Sequence, residues 1–219
     1  MSTSVKICGL RTPETLAAAL EARADMVGLV FFEKSPRHVG LETARALAAQ
    51  ARHRAEIVAL TVDAEDATLE AILRSVEPDY FQFHGRESPQ RVAEIQVKYG
   101  VSVIKAIGVA EAADLALALT YTAADALLID AKPPKGAPLP GGNGVAFDWA
   151  IARDFHPRKP WLLSGGLTPE NVGQAIRDSL ARAVDVSSGV ESAPGVKDAE
   201  KIRAFVAAAR AGFAAVEQQ

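Results

Sequence analysis

The sequence predicts an α/β chain, a single (β/α)8 TIM barrel covering residues 1–219. Three observations lead there. Short β-type runs alternate with longer stretches of helical spacing, without any break in composition. Most of the β-type runs are nearly continuous in apolar residues, as parallel strands buried on both faces must be. Finally, two short apolar runs near the C-terminus end in small residues: Leu163-Ser164-Gly165-Gly166-Leu167-Thr168-Pro169 and Val184-Asp185-Val186-Ser187-Ser188-Gly189-Val190. Backbone without bulky side chains lets a phosphate approach N–H groups closely, and a helix N-terminus behind it adds a favourable dipole. Paired phosphate loops after strands seven and eight recur in this barrel. An open doubly wound sheet is the main rival arrangement.

The expected strands are 4–8, 26–31, 56–62, 80–83, 102–107, 126–129, 161–163 and 183–186. Between them, apolar residues fall at helical spacing over 12–22, 41–51, 67–76, 89–99, 112–121, 168–178 and 198–209. Thr12-Pro13-Glu14, Ser88-Pro89 and Thr168-Pro169-Glu170 read as N-cap and first-turn signals. Beyond the β–α alternation, no self-similarity is visible. One connection stands apart. Residues 131–145 contain four prolines, two lysines and Gly141-Gly142-Asn143-Gly144, ahead of a helix expected near Phe147. A loop of that length is either functional, closing over bound substrate, or a mobile surface linker.

Composition narrows the function. The chain has 219 residues, 49% hydrophobic and 23% charged, enough for one large domain with a full core. A net charge of −3 gives no overall attraction to nucleic acid or anionic lipid, and no aromatic–basic stripe suggests either. An anionic substrate must therefore be held by local groups. A single cysteine cannot form an internal disulfide, and no leader or membrane-spanning run is present, so a cytoplasmic setting is expected. The histidines lack metal-ligand spacing, so a zinc site is not expected; the glycines lack the dinucleotide arrangement, and no P-loop occurs.

Several polar residues sit where strand ends meet the expected barrel mouth. Cys8, in Lys6-Ile7-Cys8-Gly9, is either a small buried hydrophobe or a base acting as thiolate. Lys6 has no assignable role, because alternation leaves its direction open. Asp130, after Leu127-Leu128-Ile129, either caps a turn or supplies a carboxylic acid whose proton is kept by burial or a neighbouring anion. Arg37, in Ser35-Pro36-Arg37, is a solvated loop charge or a fork for a substrate carboxylate. His84 is a structural histidine or positions substrate. Asp185 belongs to a core network or faces the mouth.

Together these segments resemble the phosphoribosylanthranilate isomerase family of tryptophan biosynthesis. The shared motifs are Lys6-Ile7-Cys8-Gly9, Gly28 through Ser35-Pro36-Arg37, Gln82-Phe83-His84-Gly85, Leu128-Ile129-Asp130, and Gly141-Gly142-Asn143-Gly144 with Phe147-Asp148-Trp149. Ser164-Gly165-Gly166-Leu167, Asp185 through Glu191, and Pro194-Gly195-Val196-Lys197-Asp198 complete the set. Phe83 and Asn143 depart from it, standing where Leu and a small hydroxyl residue are more usual. The resemblance implies an Amadori rearrangement of N-(5-phosphoribosyl)anthranilate, a small phosphorylated substrate, with no metal and no organic cofactor; a monomer or homodimer is expected. It implies Asp130 as general acid, Cys8 as general base and Arg37 on the anthranilate carboxylate. Gly165, Gly166, Ser188 and Gly189 would cradle the phosphate, with Ser187 contributing; from their strand positions alone, His84 and Asp185 are expected to contact substrate. A metal-dependent epimerase, a histidine-pathway isomerase with an aspartate pair, and a non-catalytic phospho-ligand binder share the late loops. The Cys8/Asp130 combination and Arg37 argue against the two enzymes, and retention of both acid and base against the binder.

Overall fold

The computed structural model describes residues 3–133, 136, 139–142, 144 and 146–218. Its eight parallel strands hydrogen-bond in chain order and close on themselves: β1 (Ser4–Cys8), β2 (Met26–Phe31), β3 (Glu56–Thr61), β4 (Tyr80–Phe83), β5 (Ser102–Val109), β6 (Ala126–Ala131), β7 (Trp161–Leu163) and β8 (Ala183–Val186). Closure excludes the open sheet. It also explains the continuous apolar runs, because alternate residues serve two different cores. Outward residues such as Val5, Ile7, Leu127 and Ile129 pack into the large core under the helices. Inward residues Val58, Ile104, Leu128 and Leu162 fill the barrel interior, and Cys8, Val30 and Leu60 form a separate layer above.

Among the described residues, seven α-helices flank the barrel: α1 (Pro13–Glu21), α2 (Leu41–Ala51), α3 (Asp66–Val76), α4 (Pro89–Tyr99), α5 (Asp114–Ala118), α6 (Val172–Ser179) and α7 (Ala199–Glu217). The caps at Thr12 and Ser88 form as the sequence predicts, accepting from the backbone N–H of Thr15 (3.3 Å) and Arg91 (3.2 Å). Gly100 ends α4 in the left-handed conformation, φ 63°.

Hydrogen bonding reveals a repeat within the β–α alternation. Asp25, Asp79 and Asp125 precede β2, β4 and β6, and each carboxylate accepts one N–H from the strand before, at Val5 (2.6 Å), Ile57 (2.7 Å) and Val103 (2.8 Å). Each aspartate's own N–H returns a bond to the carbonyl of that same residue. Pairs of β–α units are thus clasped alike at the barrel's lower rim.

The departures from expectation cluster late in the chain. The helix expected from 168 begins at Val172, because Thr168-Pro169 forms a turn instead. There the Asn171 side chain accepts from the Thr168 N–H at 2.7 Å and donates to the Gly166 carbonyl at 2.9 Å. The helix expected near Phe147 is a single 3-10 turn, Trp149–Ala152, and that expected over 112–121 shortens to α5. After β8 a 3-10 turn, Ser188–Val190, leads to an unforeseen antiparallel hairpin, β9 (Glu191–Ala193) and β10 (Val196–Lys197). In the proline-rich loop, residues 134, 135, 137, 138, 143 and 145 lie outside the described set, so Asn143 is not placed. Phe83 faces outward and stacks on Phe81, with ring centroids 5.9 Å apart. No described helix is long and apolar enough to cross a membrane.

Candidate active site

Strand alternation aims a ring of polar side chains into one cleft at the C-terminal end of the barrel. Every residue singled out from the sequence lines it: Cys8, Arg37, His84, Asp130, Gly165, Gly166, Asp185, Ser187, Ser188 and Gly189. Cys8 stands on β1 and Asp130 on β6, so the thiol and the carboxyl come from distant parts of the chain to the same mouth.

Lys6 lies two residues before Cys8 and therefore shares its inward face. It is 0% exposed, and its Nζ donates to Asp185 Oδ1 at 2.8 Å. The other Asp185 oxygen accepts from Ser164 Oγ at 3.1 Å. Asp185 thus satisfies both readings, since it is a networked core carboxylate that also borders the cleft. Gly28 sits beside β1. A Cβ on it would stand 2.9 Å from Cys8 Sγ and 3.2 Å from Lys6 Nζ, so its bareness lets thiol and ammonium flank one gap. Burial pushes the Cys8 thiol above its usual value, against the pull of Lys6 and Lys197. Burial also works against the Lys6 ammonium, but Asp185 and Cys8 outweigh it and its pKa is raised.

Asp130 is 6% exposed. Its Oδ1 accepts the N–H of Ala131 at 2.9 Å, and its Oδ2 lies 3.2 Å from His84 Nε2. His84 Nδ1 in turn lies 3.0 Å from the Gln82 amide nitrogen. Gly141 presses on this pair from the long loop, where a Cβ would stand 2.8 Å from Asp130 Oδ2. The glycine-rich segment therefore already reaches the site.

Arg37 is not a freely solvated charge. Its Nε and Nη2 donate to the two Glu191 oxygens at 2.7 and 2.9 Å, and Nη2 also reaches the Gly142 carbonyl at 3.3 Å. Nη1 makes no hydrogen bond among the described residues. Glu191 also accepts from Lys197 Nζ at 2.7 Å. Burial opposes its carboxylate, but Arg37 and Lys197 prevail and hold its pKa below the usual range. Lys197 continues to the Ser187 carbonyl (2.9 Å), and Ser187 Oγ donates to the Cys8 carbonyl (3.1 Å). The β9–β10 hairpin thus braces Arg37, the last loop and β1 together.

The two small-residue loops pack against neighbouring backbone. Gly165 and Gly166 adopt φ of 88° and 64°, and a Cβ on Gly165 would lie 2.6 Å from the Ala131 nitrogen. A Cβ on Gly189 would collide with the Leu167 carbonyl. Only glycine permits this close approach of backbone around a cleft wall. The last loop is followed by a three-residue 3-10 turn, not a full helix, so its anion-binding capacity rests on local N–H groups more than on a dipole.

Sequence reasoning gave no role to Lys6, Gln82, Glu191 or Lys197. A lysine inside an apolar strand was the one available signal, since such a cation must find a partner.

Comparison with known proteins shows the family. The family model for N-(5'phosphoribosyl)anthranilate (PRA) isomerase matches residues 5–208. The chain belongs to that isomerase family. An N-(5'-phosphoribosyl)anthranilate isomerase from Rhodopseudomonas palustris strain BisA53 is 59% identical over 212 residues, covering 96% of this chain and 97% of the relative. One from Cereibacter sphaeroides is 57% identical over 207 residues, with 94% and 98% covered. The crystal structure of phosphoribosyl anthranilate isomerase from Thermotoga maritima superposes with a TM-score of 0.86 at 35% identity, covering 95% of this chain and 99% of its own. Another member of the isomerase family, solved in complex with reduced 1-(o-carboxyphenylamino)-1-deoxyribulose 5-phosphate, gives 0.82 at 34% identity, with 95% and 99% covered.

Proposed function

We infer that the chain catalyses the Amadori rearrangement of N-(5-phosphoribosyl)anthranilate to 1-(2-carboxyphenylamino)-1-deoxyribulose 5-phosphate. The observation that carries this reading is the meeting of Cys8 and Asp130 at one mouth, beside bare backbone and a buried arginine. In the proposed sequence Asp130 gives its proton to the ribose ring oxygen. The C1–O bond breaks as the anilino nitrogen lone pair forms the iminium. The Cys8 thiolate then removes the C2 proton, discharging the iminium to a neutral enolamine, which tautomerises to the ketone. One proton leaves the acid and one reaches the base, so the substrate's atoms and charge balance.

Remote groups orient the sugar between these two. The amides of Gly165, Gly166, Ser188 and Gly189, with Ser187 beside them, take the phosphate, and the Arg37 edge bearing Nη1 takes the anthranilate carboxylate. Holding both ends converts proton transfer into a positioned, unimolecular event. His84 and Asp185 border the sugar. We read residues 1–219 as one barrel domain that works in the cytoplasm, as a monomer or homodimer. A fluorescence assay that follows consumption of phosphoribosylanthranilate, with the product identified as the ketose phosphate, tests the reading. Turnover is expected at a typical enzymatic kcat of about 1–10³ per second. Binding without conversion would overturn it.

A further inference from the structure

Gln82 is 0% exposed and points inward from β4, and its Oε1 has no hydrogen-bond partner among the described residues. The amide leaves that oxygen unsatisfied while presenting its N–H to His84 Nδ1 at 3.0 Å. With the amide placed so, its nitrogen can only donate, which calls for an accepting Nδ1 and for the single imidazole proton on Nε2. That nitrogen faces Asp130 Oδ2 at 3.2 Å, and Oδ1 is already bonded to the Ala131 N–H. An imidazolium would set two N–H groups against each other at Nδ1. The opposite tautomer would do the same there, and would point a lone pair at the carboxylate.

We propose that Gln82 is a positioning residue that fixes the His84 tautomer, so that His84 stabilises the Asp130 carboxylate formed when the acid gives up its proton. The proposal rests on Asp130 being the general acid of the isomerase reading. No covalent change occurs at Gln82 or His84: the proton that moves is the one on Asp130, and it goes to the ribose ring oxygen. With the Ala131 N–H on one oxygen and the His84 Nε2–H on the other, the developing negative charge meets a preorganised donor on each side. Gly141 lies against the pair, whose side chains are 12% and 9% exposed, and in so poorly solvated a place a fixed donor counts for more than in bulk water.

The test combines nitrogen-15 NMR of the imidazoles with steady-state kinetics. The chain has four histidines, and His84→Asn assigns the signal of interest by its loss. In wild type, His84 should show the Nε2–H tautomer. Gln82→Met keeps length but removes the donor. It should release His84 into a tautomer mixture and lower kcat about 5- to 20-fold, with KM within about two-fold, the pattern of an interaction made in the transition state. Gln82→Glu, which can only accept from Nδ1, should drive the proton there and lower kcat further. An Nδ1–H tautomer in wild type would overturn the proposal, whether or not either variant folds. So would a Gln82→Met enzyme that keeps the Nε2–H tautomer or wild-type kcat. If wild type failed to convert phosphoribosylanthranilate, the isomerase reading would fall, while the tautomer signal would still decide whether Gln82 orients His84.

Discussion

At the scale of single residues, the cleft is organised by groups that face inward because strands alternate. Cys8 is the clearest case. Its thiol is pushed up by burial, and the buried ammonium of Lys6, reached through the gap at Gly28, is the main counterweight. If the thiolate is the base, kcat/KM should rise with pH toward a value above that of an ordinary thiol. Replacing the cation should move that rise further up, because a neutral neighbour no longer favours the anion. Lys6→Met alone strands Asp185, a buried carboxylate, so the comparison is Lys6→Met/Asp185→Asn against Asp185→Asn. The double variant is expected to show its ascending limb at higher pH than the single one. Coincident profiles would show that Lys6 does not act on the thiol.

Elements explain how the two ends of the cleft are held together. The β9–β10 hairpin brings Glu191 under Arg37 and Lys197 against the last loop, which ties the carboxylate end of the cleft to its phosphate end. Glu191 has a lowered pKa in the fold, so its contribution is present above the ordinary carboxylate range. It is lost as pH falls through the lower folded value, where the folded carboxylate takes up its proton. Glu191→Gln breaks a buried network and is expected to cost about 3–5 kcal/mol near pH 7. The gap to wild type should then narrow as urea midpoints are followed downward from pH 6 through 4.5 to 3. A gap that stays constant would mean that the carboxylate charge contributes nothing to the hairpin's hold. At the opposite rim, the three aspartate clasps are a scaffold feature, and none of those aspartates lines the cleft.

For the whole molecule, much of the plan is legible from one sequence. Doubly buried parallel strands are apolar at nearly every position, so β1, β2, β4, β7 and β8 fall at their expected bounds. Cys8 and Asp130 stand out because each follows an apolar run at a strand's C-terminal end. Partners were not legible, because periodicity carries no information about contacts such as Lys6 with Asp185, 179 residues apart, or Arg37 with Glu191, 154 apart. The start of α6 departs from expectation for a related reason: Asn171 bonds to the loop before it, and that choice belongs to tertiary context rather than to local propensity. Gln82 stands in the sequence only as one letter of a shared motif, and its meaning lies in its amide facing His84. The central claim remains a pairing of acid and base across the barrel mouth. It is tested most directly by kcat for phosphoribosylanthranilate in Cys8→Ala and Asp130→Asn beside wild type, with folding of each variant checked by circular dichroism. Each variant should lose about 10²–10⁴-fold in kcat while keeping the fold. A folded variant of either kind that turns over at close to the wild-type rate would contradict the account.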